Sequence, residues 1–133
     1  MKAITWVIVS TFFLLASCKK EDCTPQAGLH GTWEWEQSVG GIGGWTLTPD
    51  SEGYTQKIVI DDIYYAAYQN DSLLFKRQYQ TGIDNDLMIG LPDSTYIEVE
   101  GYFLMSYHIE DQTLTMAEQC YDCYIHTYKR KQN

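Results

Sequence analysis

The sequence predicts an all-β domain, and three observations predict it. No apolar stripe at helical spacing runs through the chain after residue 29. The residues that recur there are Tyr, Ile, Val, Thr and Trp, which suit a pleated, half-buried surface. Apolar side chains also alternate with polar ones at every second position, in short runs separated by turn residues, so about eight short strands with brief connections are expected. That pattern fits an up-and-down barrel or a sandwich.

The first element is not part of that domain. Lys2 supplies a positive start, the run from Ala3 to Leu14 is almost wholly apolar, and Leu15-Ala16-Ser17-Cys18 has the form of a lipobox. A helix needs roughly 20 apolar residues to span a bilayer, and this run is about a dozen, so residues 1–17 read as a cleaved lipoprotein signal and not a permanent span. Cleavage leaves Cys18 to carry a diacylglycerol on its thiol and an acyl chain on its freed amine. Two or three chains anchor a protein stably where one does not. Lys19 follows Cys18 where an inner-membrane retention signal would have Asp, so the outer membrane is expected, on its periplasmic face or at the cell surface. Residues 18–29 read as the lipidated cysteine with its polar tether, and residues 30–133 as one domain.

Within that domain, residues 30–38 place Trp33, Trp35 and Gln37 on one face and Thr32, Glu34 and Glu36 on the other. Residues 39–53 form a glycine-rich loop ending in Pro49-Asp50 and exposing Trp45. A strand follows it, where a phosphate-binding loop would be followed by a helix. Residues 54–61 direct Ile58 and Ile60 inward. Residues 63–69 and 73–80 form a hairpin around Asn70-Asp71. The segment 81–93 is an acidic loop with Asp84, Asn85, Asp86 and Asp93, without the glycine and terminal Glu of a calcium-binding EF-hand. Residues 95–100 turn Ile97 and Val99 inward, and Gly101 allows a turn. Phe103, Met105, Tyr107 and Ile109 share a face of the next strand, with His108 outward. Asp111-Gln112 connect it to a strand anchored by Leu114 and Met116, and residues 124–130 form the last strand.

Charge narrows the partners. The formal net charge is -9, and removal of Lys2 with the signal makes the mature chain more acidic still. Binding phosphates takes clustered Lys and Arg, so nucleic acid is not expected as a partner. CYDC at residues 120–123 lacks the His of a haem-attachment motif, and the strand pattern that follows it lacks the helix of a thioredoxin-type site. Zinc held by Cys120, Cys123, His126 and His108 would lack a second close ligand pair. No metal or other cofactor is expected, and a structural disulfide suits an exported domain. No nucleophile and base stand at usable spacing, so the chain is expected not to be an enzyme.

Gly31-Thr32-Trp33, the glycine-rich segment ending at Thr48-Pro49, and Thr127-Tyr128-Lys129-Arg130 together resemble the lipocalin-like domains of small Gram-negative lipoproteins. The resemblance extends over residues 30–131 and implies a small up-and-down antiparallel β-barrel. It implies structural roles for Trp33, at one end of the barrel, and for Arg130, packed over its indole. With Arg130 inward, Tyr128, His126 and Tyr124 share its face and meet Trp35 and Gln37 across the closing strands. These five are the expected lining of a site for a small apolar or amphipathic ligand. The same closure puts Cys120 and Cys123 at the end far from the tether, which favours a local bridge over one to Cys23. The alternative is a barrel filled by its own side chains, with Trp45, Tyr96 and Tyr102 offered to a glycan or protein partner.

Overall fold

The computed structural model describes residues 28–132. The signal, the lipidation of Cys18, most of the tether, and Cys23 lie outside the described residues. The sheet contains β1 (Gly31–Gly40), β2 (Trp45–Leu47), β3 (Gln56–Ile60), β4 (Tyr64–Gln69), β5 (Ser72–Ile83), β6 (Thr95–Val99), β7 (Phe103–Glu110), β8 (Thr113–Glu118) and β9 (Tyr124–Arg130), with one helical turn, α1 (Pro49–Glu52). Every pairing is antiparallel, and neighbours follow chain order from β3 to β9. β1 pairs with both β3 and β9, so eight strands close into a barrel, and β2 folds back on the free end of β1.

Alternation decides what fills it. Trp33, Trp35, Ile58, Ile60, Tyr65, Ile97, Val99, Tyr107, Leu114, Met116 and Tyr128 project inward and pack as one buried cluster. Burying large aromatic and branched side chains is the main favourable term in such a small domain. Loss of water around the phenols has an electrostatic signature. Burial pushes the Tyr107 hydroxyl up to about 12 and those of Tyr65 and Tyr128 well above the ordinary tyrosine range.

The turns follow from their residues. Asn70 and Asp71 both take left-handed backbone angles between β4 and β5, which short polar side chains tolerate. Asp61 accepts from the backbone N–H groups of Ile63 (2.8 Å) and Tyr64 (2.6 Å), and these bonds hold its carboxyl below the usual range. Thr48 and Ser51 form a capping box that fixes α1.

One end of the barrel is closed. The Trp33 indole is wholly buried, and the Arg130 guanidinium carbon lies 4.0 Å from its ring centre. Arg130 donates through Nη1 to the His30 carbonyl (2.7 Å) and through Nη2 to that of Gly28 (2.5 Å), while Trp33 Nε1 donates to the Leu29 carbonyl (2.9 Å). Gly31 makes this approach possible, because a Cβ there would lie 2.7 Å from Nη1. This floor is the end at which the chain enters.

Several expectations are corrected. Leu29, assigned to the tether, is fully buried in the core cluster, so the packed domain begins before residue 30. The segment 39–53 contains β2 and α1, because the glycine turn at residues 41–44 lets the chain double back on β1. β5 continues to Ile83, paired with β6 across residues 79–83. The remaining loop lies against the outer wall, where Ser106 Oγ donates to the Ile89 carbonyl (2.6 Å) and the Gln119 amide both accepts from and donates to Ile89 (3.1 Å each). Ser106 is thereby buried on the face opposite Tyr107.

Candidate functional site

The open end is shaped by one extra residue. The β1–β9 register runs Trp35 to Tyr128, then Gln37 to Thr127, then Ser38 to His126, so Glu36 is a β-bulge. A one-residue insertion reverses which side chains face the core beyond it. Gln37, expected inside beside Trp35, is therefore exposed, and Ser38 takes the inward position with 4% exposure. Nothing in the simple alternation of residues 30–38 marks the bulge.

Ser38 joins a polar chain that sequence spacing did not show. Trp35 Nε1 donates to Ser38 Oγ (2.8 Å), and Ser38 Oγ lies 2.6 Å from His126 Nδ1. An indole nitrogen can only donate, so the serine oxygen accepts from it, and with a neutral imidazole protonated at Nε2 toward the Glu118 carboxylate, the serine gives its own proton to Nδ1. That leaves His126 Nε2 to donate to Glu118 Oε1 (3.1 Å), whose other oxygen accepts from the Tyr124 backbone N–H (3.0 Å). Four residues on β1, β8 and β9 thus meet in one satisfied relay at the rim. Serine, imidazole and carboxylate stand in the order of a hydrolytic triad. The serine is nevertheless buried, with an indole donor already on its oxygen.

The expected lining residues separate. Trp35 and Tyr128 are core, at 6% and 7% exposure, and Trp35 stacks on Tyr54. Tyr124 and His126 are half-buried at the rim, with their rings stacked. Beside them the Cys120–Cys123 disulfide pins the β8–β9 turn. A groove of about 500 Å³ runs past it, lined by Tyr102, Phe103, Met105, Glu118 and both cysteines. His108 is bonded to Asp93 farther along β7.

At this end the β1–β2 turn carries Ile42, 91% exposed, β2 begins with Trp45, 64% exposed, and the β8–β9 turn carries Tyr121, 88% exposed. The Trp45 indole lies across the turn, where a Cβ on Gly43 would come within 2.5 Å of its Nε1. Val39 and Ile125, paired across β1 and β9, extend this apolar surface onto the outer wall. Of the other two aromatics expected to be presented, Tyr96 is half-buried across Gly82, and Tyr102 is stacked on Phe75 at 4.3 Å while remaining exposed.

Comparison with protein-family models, with curated proteins and with solved structures returned no match in any of the three. The strand pairings alone define the fold, a closed antiparallel eight-stranded barrel with one appended strand.

Proposed function

We propose that this chain is a lipid-anchored, non-enzymatic interaction module, held to the outer membrane through Cys18 and docking a protein partner on the rim of its barrel. The observation that carries the reading is the filled interior: Trp35, Tyr65, Tyr107, Tyr128 and Met116 occupy the space that a lumenal ligand would need. Recognition then moves to the rim, where Ile42, Trp45 and Tyr121 are exposed together with Val39 and Ile125. Clustered exposed apolar groups mark interaction surfaces, and Trp and Tyr are the side chains that dominate protein interfaces. The aliphatic members favour a protein over a glycan, since they offer no flat ring for a sugar face. The floor, where Gly28 and Leu29 enter, lies at the opposite end, so a tether arriving there leaves the rim facing away from the anchor.

Photo-crosslinking in host cells tests this. A crosslinker at Ile42 is expected to give a discrete protein adduct that is lost on Trp45→Ser, and one at Glu110, by the floor, to give none. No adduct from the rim, or the same adduct from both positions, refutes it. Separately, Cys18→Ala is expected to move the protein from the membrane pellet to the soluble fraction, and retention in the pellet refutes the anchor.

A second reading keeps the small amphipathic ligand but seats it in the groove beside the disulfide. Its volume of about 500 Å³ falls in the range of small-molecule sites, and its lining combines apolar Phe103 and Met105 with polar Glu118 and Gln119. Native mass spectrometry of protein extracted from its host, showing a co-purifying small molecule lost on Met105→Arg, supports this reading.

A further inference from the structure

We propose that the β8–β9 turn is a redox-gated site for a thiophilic divalent cation such as Zn²⁺, with Cys120, Cys123 and Glu118 as ligands once the disulfide is reduced. The inference is independent of the partner-docking reading. It rests on convergence: one donor atom from each of these three residues lies within 4.8 Å of the others. Zinc–sulfur bonds of about 2.3 Å and zinc–oxygen bonds of about 2.0–2.2 Å place tetrahedral ligand atoms somewhat under 4 Å apart, so only a small opening of the turn is needed.

Glu118 is oriented before any ion arrives. Its two oxygens accept from His126 Nε2 and from the Tyr124 backbone N–H. A carboxylate has about four lone-pair sites, and two remain for a metal. His126 is in turn held by Ser38, which Trp35 holds. Such outer partners fix the direction of a metal-bound carboxylate and tune its basicity. The relay that has no access to substrate as a hydrolytic triad therefore has a use as the support of a ligand. Cys120 is exposed and Glu118 and both cysteines line the groove, so the ion has a path in, and three protein ligands leave a fourth position toward that groove. Two thiolates and a carboxylate, on a chain of net charge -9, attract a cation.

The steps balance. A dithiol reductant supplies two electrons and two protons, so that the Cys120–Cys123 bond breaks to two thiols while the reductant becomes a disulfide. The cation then displaces the two thiol protons to solvent and forms two metal–sulfur bonds with one metal–oxygen bond. In the oxidised protein each sulfur is held by the other, and the site is closed to metal.

The test uses the full chain, reduced anaerobically, freed of reductant and titrated with Zn²⁺, with Co²⁺ as the spectroscopic probe. The reduced protein is expected to bind one equivalent, to release close to two protons at neutral pH, and to give the charge-transfer band of a thiolate–cobalt centre. The oxidised protein is expected to bind none. Glu118→Gln is expected to weaken binding at least tenfold and Cys120→Ser, at an exposed turn position, to remove the charge-transfer band or halve it, with circular dichroism confirming that both variants keep the barrel. The proposal is overturned if the reduced protein takes up no stoichiometric metal, or if the disulfide form binds as well. It is also overturned if Glu118→Gln binds as tightly as the parent, since the turn would then be only a dithiol chelator.

Discussion

Removing the Arg130 side chain isolates what the floor contributes. The guanidinium sits 4.0 Å above the ring centre of a fully buried Trp33, an attraction of about 0.5–2 kcal/mol. Its bond to the half-buried His30 carbonyl at 2.7 Å is charge-assisted and contributes about 1.5 kcal/mol net, while the bond to Gly28 is exposed and adds less. Arg130→Ala is therefore expected to lose about 3 kcal/mol. For a domain near 100 residues each kcal/mol moves the melting temperature by about 4–8 °C, so a fall of roughly 12–24 °C is expected. Arg130→Lys keeps the charge but not the planar fork, and is expected to lose about half as much. Lys131→Ala is the control, because its ion pair with Glu34 is half-exposed on both sides and surface pairs contribute under about 1 kcal/mol. Urea denaturation of the three variants measures these differences. An Arg130→Ala protein within about 0.5 kcal/mol of the parent, or no weaker than Lys131→Ala, would refute the account of how the barrel end is sealed.

Ser38→Ala leaves the Trp35 indole and the His126 Nδ1 without their partner, and is expected to cost about 1–3 kcal/mol in denaturant while a fluorophosphonate probe labels neither protein; labelling of Ser38 would overturn the non-enzymatic reading. The buried phenols of Tyr65, Tyr107 and Tyr128 hold their protons more tightly folded than unfolded, so their contribution is whole below about pH 10 and is lost as pH rises toward and past about 12. Denaturation midpoints should be flat with respect to these groups at neutral pH and fall steeply above pH 10, together with the rise of tyrosinate absorbance. Replacing both Cys120 and Cys123 with Ser opens a loop with sequence separation 3 and should lower stability by about 2 kcal/mol without changing far-ultraviolet dichroism.

Much of the barrel was legible because alternation and turn chemistry agree. Ile58 with Ile60, Ile97 with Val99, and Leu114 with Met116 face inward as their spacing requires, and Asn70-Asp71 turns where short polar residues permit it. The rim was less legible. A bulge leaves no compositional mark, so the pattern of Trp33, Trp35 and Gln37 extended past Glu36 into the wrong face, and Ser38 went unnoticed. Glu118 and His126 meet across the β8–β9 hairpin, but Ser38 lies 88 residues before His126 and joins them only because β1 closes against β9, so that part of the relay depends on closure and not on local spacing. Leu29 was missed for another reason: a lone apolar residue ahead of a strand has no periodicity to betray it, and only the Trp33 indole it supports shows why it is buried.

The pairing of Trp33 with Arg130 also sets a timetable. A chain emerging from its amino end must hold an incomplete sheet, with the inner edge of its opening strand unzipped, until the closing segment appears about a hundred residues later. Contacts this distant along the chain form in milliseconds to seconds, slower than local ones. The architecture therefore postpones closure of the barrel until nearly the entire polypeptide is available to pair, while the hairpins between can form as each is completed.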